Sequence, residues 1–127
     1  MIRLLHVEDD PDIREIAQMA LSLSDGITLL QCESGEDALA QIEGFAPTMV
    51  LLDMMMPGMT GRQTLDHIRK MPAFAQIPAV FMTARTQHGD IDDMLQDGAA
   101  EVIKKPFDPM ALADQLVKIA DSAGQGS

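Results

Sequence analysis

Residues 49–61 read M-V-L-L-D-M-M-M-P-G-M-T-G. Four apolar residues, Met49 to Leu52, run straight into one carboxylate, Asp53; a Pro57-Gly58 turn and a second glycine, Gly61, follow. A continuous apolar run closed by turn residues reads as a strand buried on both faces, most often in a parallel sheet. Asp53 then falls at the carboxyl end of that strand. In open α/β sheets this is the edge where ligands bind. An acid carried there by a buried strand is costly unless it is paired or used. The structural alternative is that Asp53 only caps the loop.

Working outward toward the C-terminus, Leu65, Ile68 and Met71 mark a helix that begins near Thr60 and ends at Pro72. Ile77 to Met82 is a strand ending at Thr83-Ala84, with Pro78 tolerated at its start. A further helix carries Ile91, Met94 and Leu95 and closes at Gly98. Glu101 to Lys104 is a short strand followed by Lys105-Pro106-Phe107. Asp108-Pro109 then supplies an N-cap and a first-turn proline for a last helix with Leu112, Leu116 and Ile119 inward.

Toward the N-terminus, Ser34 to Asp37 matches a capping box that opens a helix with Ala38, Leu39 and Ile42 inward and Gly44 as its stop. Ile27 to Cys32 is a strand after the Asp25-Gly26 turn, and Cys32 reads as a small buried hydrophobe. Arg3 to Val7 is the first strand, with His6 hydrogen-bonded or exposed rather than a ligand. Glu8, Asp9 and Asp10 follow it, then Pro11 and a helix whose inner face is Ile13, Ile16, Ala17, Ala20 and Leu21. Asp10 is explained as an N-cap. Glu8 and Asp9 are not, and adjacent like charges repel unless a cation joins them.

Strand and helix alternate five times, which implies a parallel sheet covered by helices on both faces and joined by right-handed crossovers. The strand ends carry Glu8 and Asp9, Asp53, Thr83 and Lys105, all on one edge. Three carboxylates, a hydroxyl and an ammonium make a site for a divalent metal and a phosphate. Hard oxygen ligands suit Mg²⁺, and no soft cluster suits zinc. Met54, Met55, Met56 and Met59 read as loop packing rather than as thioether ligands.

The chain has 127 residues, the size of one domain, and 46% are hydrophobic. A net charge of −11 argues against direct binding to nucleic acid or to anionic membranes. One cysteine precludes an internal disulfide and suits a reducing cytoplasm. No apolar run approaches membrane length. Residues 1–121 are expected to form the domain, and 122–127 (S-A-G-Q-G-S) a flexible tail or the start of a linker.

Four motifs, H-V-E-D-D-P, L-L-D-M-M-M-P-G-M-T-G, F-M-T-A and K-K-P-F, stand in this order, each at an expected strand end. With them the chain resembles the response-regulator receiver domain of two-component signalling, from Ile2 to about Ala120. The resemblance implies a flavodoxin-like doubly wound sheet of five parallel strands, order 2-1-3-4-5, with five flanking helices. It implies Asp53 as phosphoacceptor, Glu8 and Asp9 as the acidic pair for Mg²⁺ with Asp9 the direct ligand, and Met55 as donor of a backbone carbonyl to the metal. It further implies Thr83 as the hydroxyl and Lys105 as the lysine that bind the phosphoryl group, with Lys104 solvated and a cis bond at Lys105-Pro106. The implied donor is a phosphohistidine on a sensor histidine kinase or a histidine phosphotransfer protein, sometimes a small acyl phosphate. The output is a conformational switch read by a downstream protein.

The family often has Tyr or Phe three residues before the lysine. Here that residue is Val102, so an aromatic rotamer switch cannot operate. With no output domain in the sequence, a stand-alone receiver or one cut from a longer chain is expected. The alternative function is a non-phosphorylated docking module that keeps only the fold. A hydrolase with an aspartyl-phosphate intermediate is disfavoured, because Met55 stands where such enzymes carry a second acid.

Overall fold

A computed structural model of the chain describes residues 2–84, 95–96 and 99–125. Five strands form one sheet: β1 (Ile2–Val7), β2 (Ile27–Cys32), β3 (Met49–Asp53), β4 (Ala79–Thr83) and β5 (Glu101–Lys104). Their order is β2-β1-β3-β4-β5 and every pairing is parallel. This is the flavodoxin-like arrangement. Four α-helices lie among the described residues: α1 (Pro11–Ser22), α2 (Gly35–Phe45), α3 (Gly61–Arg69) and α4 (Leu112–Gln125), with a 3₁₀ turn at Pro72–Phe74. The helix expected over Ile91, Met94 and Gly98 lies outside the described residues; Leu95 and Gln96 are helical.

Alternation along each strand sorts side chains to two cores. Leu5, Val7, Val50, Leu52, Ala79 and Phe81 face Ala38 and Ile42 of α2 and Leu65 and Ile68 of α3. Leu4, Leu51, Val80, Met82 and Ile103 face Ala17 and Leu21 of α1 and Leu112 and Leu116 of α4. All of β3 and β4 is buried, as a strand packed on both faces requires. Cys32 is buried and free.

Asp10 caps α1, accepting from the Asp12 N–H at 2.9 Å. Asp108 and Pro109 do not open α4 as expected: they lie in a turn, where the Asp108 side chain accepts from the Met110 N–H at 2.9 Å and its carbonyl accepts from the Ala111 and Leu112 N–H groups, and the helix begins only at Leu112. At α2 only half of the expected capping box forms: Ser34 Oγ accepts from the Asp37 N–H, while Asp37 turns to the Glu33 N–H. Aspartate is one methylene shorter than the glutamate that closes such a box.

Several boundaries differ from expectation. Gly44 does not stop α2. The helix continues to Phe45, because the Phe45 carbonyl accepts from Arg3 Nε at 3.0 Å and Nη2 at 2.6 Å, and the guanidinium lies 4.4 Å from the ring centroid. Ala46 takes the left-handed cap at φ 54°. Ile16 is exposed, since it stands about 100° round α1 from Ala17 and off the packed stripe. Met71 lies beyond α3 but still packs on the core. Pro78 precedes β4, where its carbonyl accepts from the Val50 N–H. The α4 backbone continues through Gln125, into the segment of linker composition.

Candidate functional site

Parallel pairing in register brings the carboxyl ends of β1, β3, β4 and β5 to one edge: Val7 pairs with Leu52, Asp53 with Met82, and Thr83 with Lys104. Glu8 emerges from β1 with its N–H donating to the Cys32 carbonyl at 3.0 Å. Its side chain is fully buried, and Oε2 accepts from the Asp10 N–H at 3.2 Å. Asp53 is 4% exposed, and its Oδ1 accepts from the Met55 N–H at 3.4 Å.

Lys105 joins the two acids. Its Nζ lies 2.8 Å from Glu8 Oε1 and 3.0 Å from Asp53 Oδ1. Asp9 is exposed at the rim. One carboxylate oxygen each from Glu8, Asp9 and Asp53 falls within 4.8 Å of the others. Oxygens so grouped fit a small hard cation. Burial pushes the Glu8 carboxyl up to about 7, with the neighbouring Asp53 adding to the rise and Lys105 offsetting part of it. Burial alone lowers the Lys105 ammonium, but Glu8 and Asp53 outweigh it and hold it above its ordinary value.

Thr83 is buried at the end of β4, and its carbonyl accepts from the Lys105 N–H at 2.8 Å, fixing where β5 releases the lysine. The Lys105–Pro106 bond is cis, as the resemblance implies. Lys104 is exposed. Of the methionines, Met54 and Met56 are buried in the core, whereas Met55 is 55% exposed at the mouth of the site. Val102 is half-buried against the core beneath α2 and α3. The structure thus brings Glu8, Asp9, Asp53 and Lys105 together, with Thr83 and Met55 at the same edge. A cavity of about 780 Å³ at the opposite edge, lined by Ile2, Thr48, Ile77 and Val117, holds none of them.

Residues 4–117 match the response regulator receiver domain. The chain belongs to this family. Receiver domains are the signalling modules of two-component systems. DNA-binding response regulator MtrA of Mycolicibacterium smegmatis is 36% identical over 114 residues, which cover 90% of this chain and 48% of the relative. Phosphate regulon transcriptional regulatory protein PhoB of Escherichia coli is 34% identical over 114 residues, 90% of this chain and 49% of PhoB. This receiver therefore spans about half the length of these curated relatives. Chemotaxis protein CheY4 of Vibrio cholerae superposes with a TM-score of 0.86 at 25% identity, covering 94% of this chain and 98% of CheY4. Among the described residues of the receiver, no helix is long and apolar enough to cross a membrane.

The Met55 N–H on Asp53 is a backbone donor of the kind expected after the strand end. One side chain at this edge carries no mark in the sequence. Arg14, whose guanidinium reaches the Glu8 and Asp9 carbonyls, is indistinguishable in sequence from a solvated cation on a helix.

Proposed function

We propose that this receiver takes a phosphoryl group from a phosphohistidine donor onto Asp53, with Mg²⁺, and changes conformation to signal to a partner protein. The observation that carries this reading is the Lys105 ammonium set between Glu8 and Asp53, beside three carboxylate oxygens within 4.8 Å of one another. A structural salt bridge needs one acid; here a lysine and a third, exposed carboxylate share the same space.

An Asp53 carboxylate oxygen attacks phosphorus in line with the leaving imidazole. The N–P bond breaks, its electron pair goes to the imidazole, and an acyl phosphate forms. Glu8, Asp9, Asp53 and the Met55 carbonyl would hold Mg²⁺, which when bound screens the carboxylate from the incoming phosphate and neutralises oxygen charge. Lys105 and the Thr83 hydroxyl bind the remaining phosphoryl oxygens, and the Met55 N–H adds a backbone donor. Once Asp53 is phosphorylated, Lys105 must divide its donors between Glu8 and the new anion, and this rearrangement starts the switch. The receiver works in the cytoplasm, and its switching unit runs to the end of α4 at Gln125, beyond the boundary at residue 121 expected from composition. It contacts no nucleic acid or membrane itself, in keeping with its charge of −11.

Phosphate transfer from a panel of labelled histidine kinases and phosphotransfer proteins tests this reading. Incorporation into the wild type and none into Asp53→Asn is expected. No incorporation from any donor, with the fold intact, would favour a non-phosphorylated docking module.

A further inference from the structure

Arg14 stands in the second turn of α1 with its guanidinium turned back toward the end of β1. Nη1 donates to the Glu8 carbonyl at 2.8 Å and to the Asp9 carbonyl at 3.1 Å. These are the two peptide units that carry the acidic pair, and they lie past the end of the β1 ladder. Where their carbonyls point determines where the two side chains leave the backbone.

Arg14 is itself tied down. Its N–H donates to the Asp10 carbonyl at 3.0 Å, and its own carbonyl accepts from Gln31 Nε2, on β2, at 2.8 Å. The same Gln31 nitrogen lies 3.1 Å from His6 Nδ1 on β1. The arginine is therefore anchored through its helix to two strands of the sheet and braces the loop that presents the adjacent carboxylates of Glu8 and Asp9. Its positive charge also offsets the repulsion between Glu8 and Asp9.

The geometry points to Arg14 as a positioning residue: through the Glu8 and Asp9 carbonyls it holds the acidic pair in the orientation that binds a divalent cation. Its role is indirect, because it bonds to the backbone of the ligating residues and not to their carboxylates. The inference rests on the metal-binding reading of the site given above.

The test is titration calorimetry of the full chain with MgCl₂, for the wild type, Arg14→Ala and Arg14→Lys, with urea unfolding measured alongside. Removing a group that orients metal ligands typically costs 10–100-fold in affinity, so Arg14→Ala should weaken Mg²⁺ binding about tenfold. Both carbonyl bonds come from one nitrogen, which a lysine ammonium can replace, so Arg14→Lys should keep most of the affinity. If Arg14→Ala does not fold, Arg14→Met, which keeps an unbranched stem but has no donor, carries the same expectation. An Mg²⁺ affinity in Arg14→Ala equal to the wild type would overturn the inference, whatever happens to the urea midpoint, since the residue would then serve stability alone. Equal weakening in Arg14→Ala and Arg14→Lys would overturn it too. A wild type that binds no Mg²⁺ would instead refute the reading of the site on which the inference depends.

Discussion

His6 has no exposed surface, and its Nδ1 faces the Gln31 amide nitrogen. That nitrogen can only donate, so Nδ1 accepts and the ring proton sits on Nε2. Protonating the ring would set two donors against each other in a buried site. Burial, then Lys105, then Arg14 pull the imidazole down from 6.5 to about 4. Between these values the folded state binds fewer protons than the unfolded one, so this contribution to stability is complete above pH 6.5 and is lost as pH falls toward 4. The loss reaches on the order of 3 kcal/mol. Glu8 acts in the opposite sense: its folded value of about 7 exceeds 4.5, so its contribution is present at low pH and fades as pH rises through 7. Urea unfolding at pH 7 and pH 5 separates the two when the wild type is set against His6→Gln. The wild type should lose about 2 kcal/mol more than the variant on acidification. Parallel losses would show that His6 is already protonated, or solvated, in the fold.

Met55 is the residue expected to set how long a phosphoryl group stays on Asp53. Its exposed thioether covers the mouth of the site and offers no strong hydrogen bond to an attacking water. Met55→Asn should speed loss of the phosphoryl group on the order of tenfold, about 1.4 kcal/mol of barrier. Decay after donor removal, in Mg²⁺, measures it, and an unchanged or slower rate would mean that Met55 does not limit water access. Arg85, two residues after Thr83 as Met55 is two after Asp53, lies outside the described residues.

At the scale of elements, the start of α3 holds the Asp53 loop in place. Thr60 and Gln63 form a complete capping box, and the Gly61 N–H donates to the Met54 carbonyl at 3.1 Å. A Cβ on Gly61 would overlap the Asp53 carbonyl oxygen. That backbone cannot yield without moving the end of β3, so Gly61→Ala should destabilise by about 1–3 kcal/mol and slow phosphorylation as well. Urea unfolding and the initial rate of phosphate incorporation test this; a neutral substitution would show that the helix can shift. Strand ends were legible in the sequence because apolar runs stop abruptly at Glu8, Asp53 and Thr83. The helix termini were less so. Gly44 looked like a stop, but Arg3, distant in sequence, fastens Phe45 and carries α2 past it. Ile16 fitted the helical period but missed the packed stripe, because the period does not say how wide that stripe is.

At the scale of the molecule, the doubly wound order gathers strand ends far apart in sequence on one edge. The site's composition could be read from the sequence, since Asp53, Lys105 and the acidic pair each followed a strand. Its pairing could not: that Lys105 reaches Glu8 as well as Asp53 depends on β1, β3 and β5 lying in a particular order. The crowding of Glu8, Asp9 and Asp53 means that the metal-free fold bears their mutual repulsion, eased by Lys105. A cation that binds only the folded state should raise the melting temperature with concentration. Mg²⁺ is expected to do so in the wild type, and Asp9→Ala to remove most of the gain. An equal gain in the variant would place the cation elsewhere.

The central claim is that Asp53 is phosphorylated, as an acyl phosphate, at this edge of the sheet. The most direct measurement is the mass of the intact protein, and of its Asp53 peptide, after incubation with a small acyl phosphate and Mg²⁺. The expected result is one added phosphoryl group on Asp53 in the wild type, none without Mg²⁺, and none in Asp53→Asn. A folded wild type that gains no phosphoryl group, or gains it on another residue while Asp53→Asn gains it equally, would contradict the account.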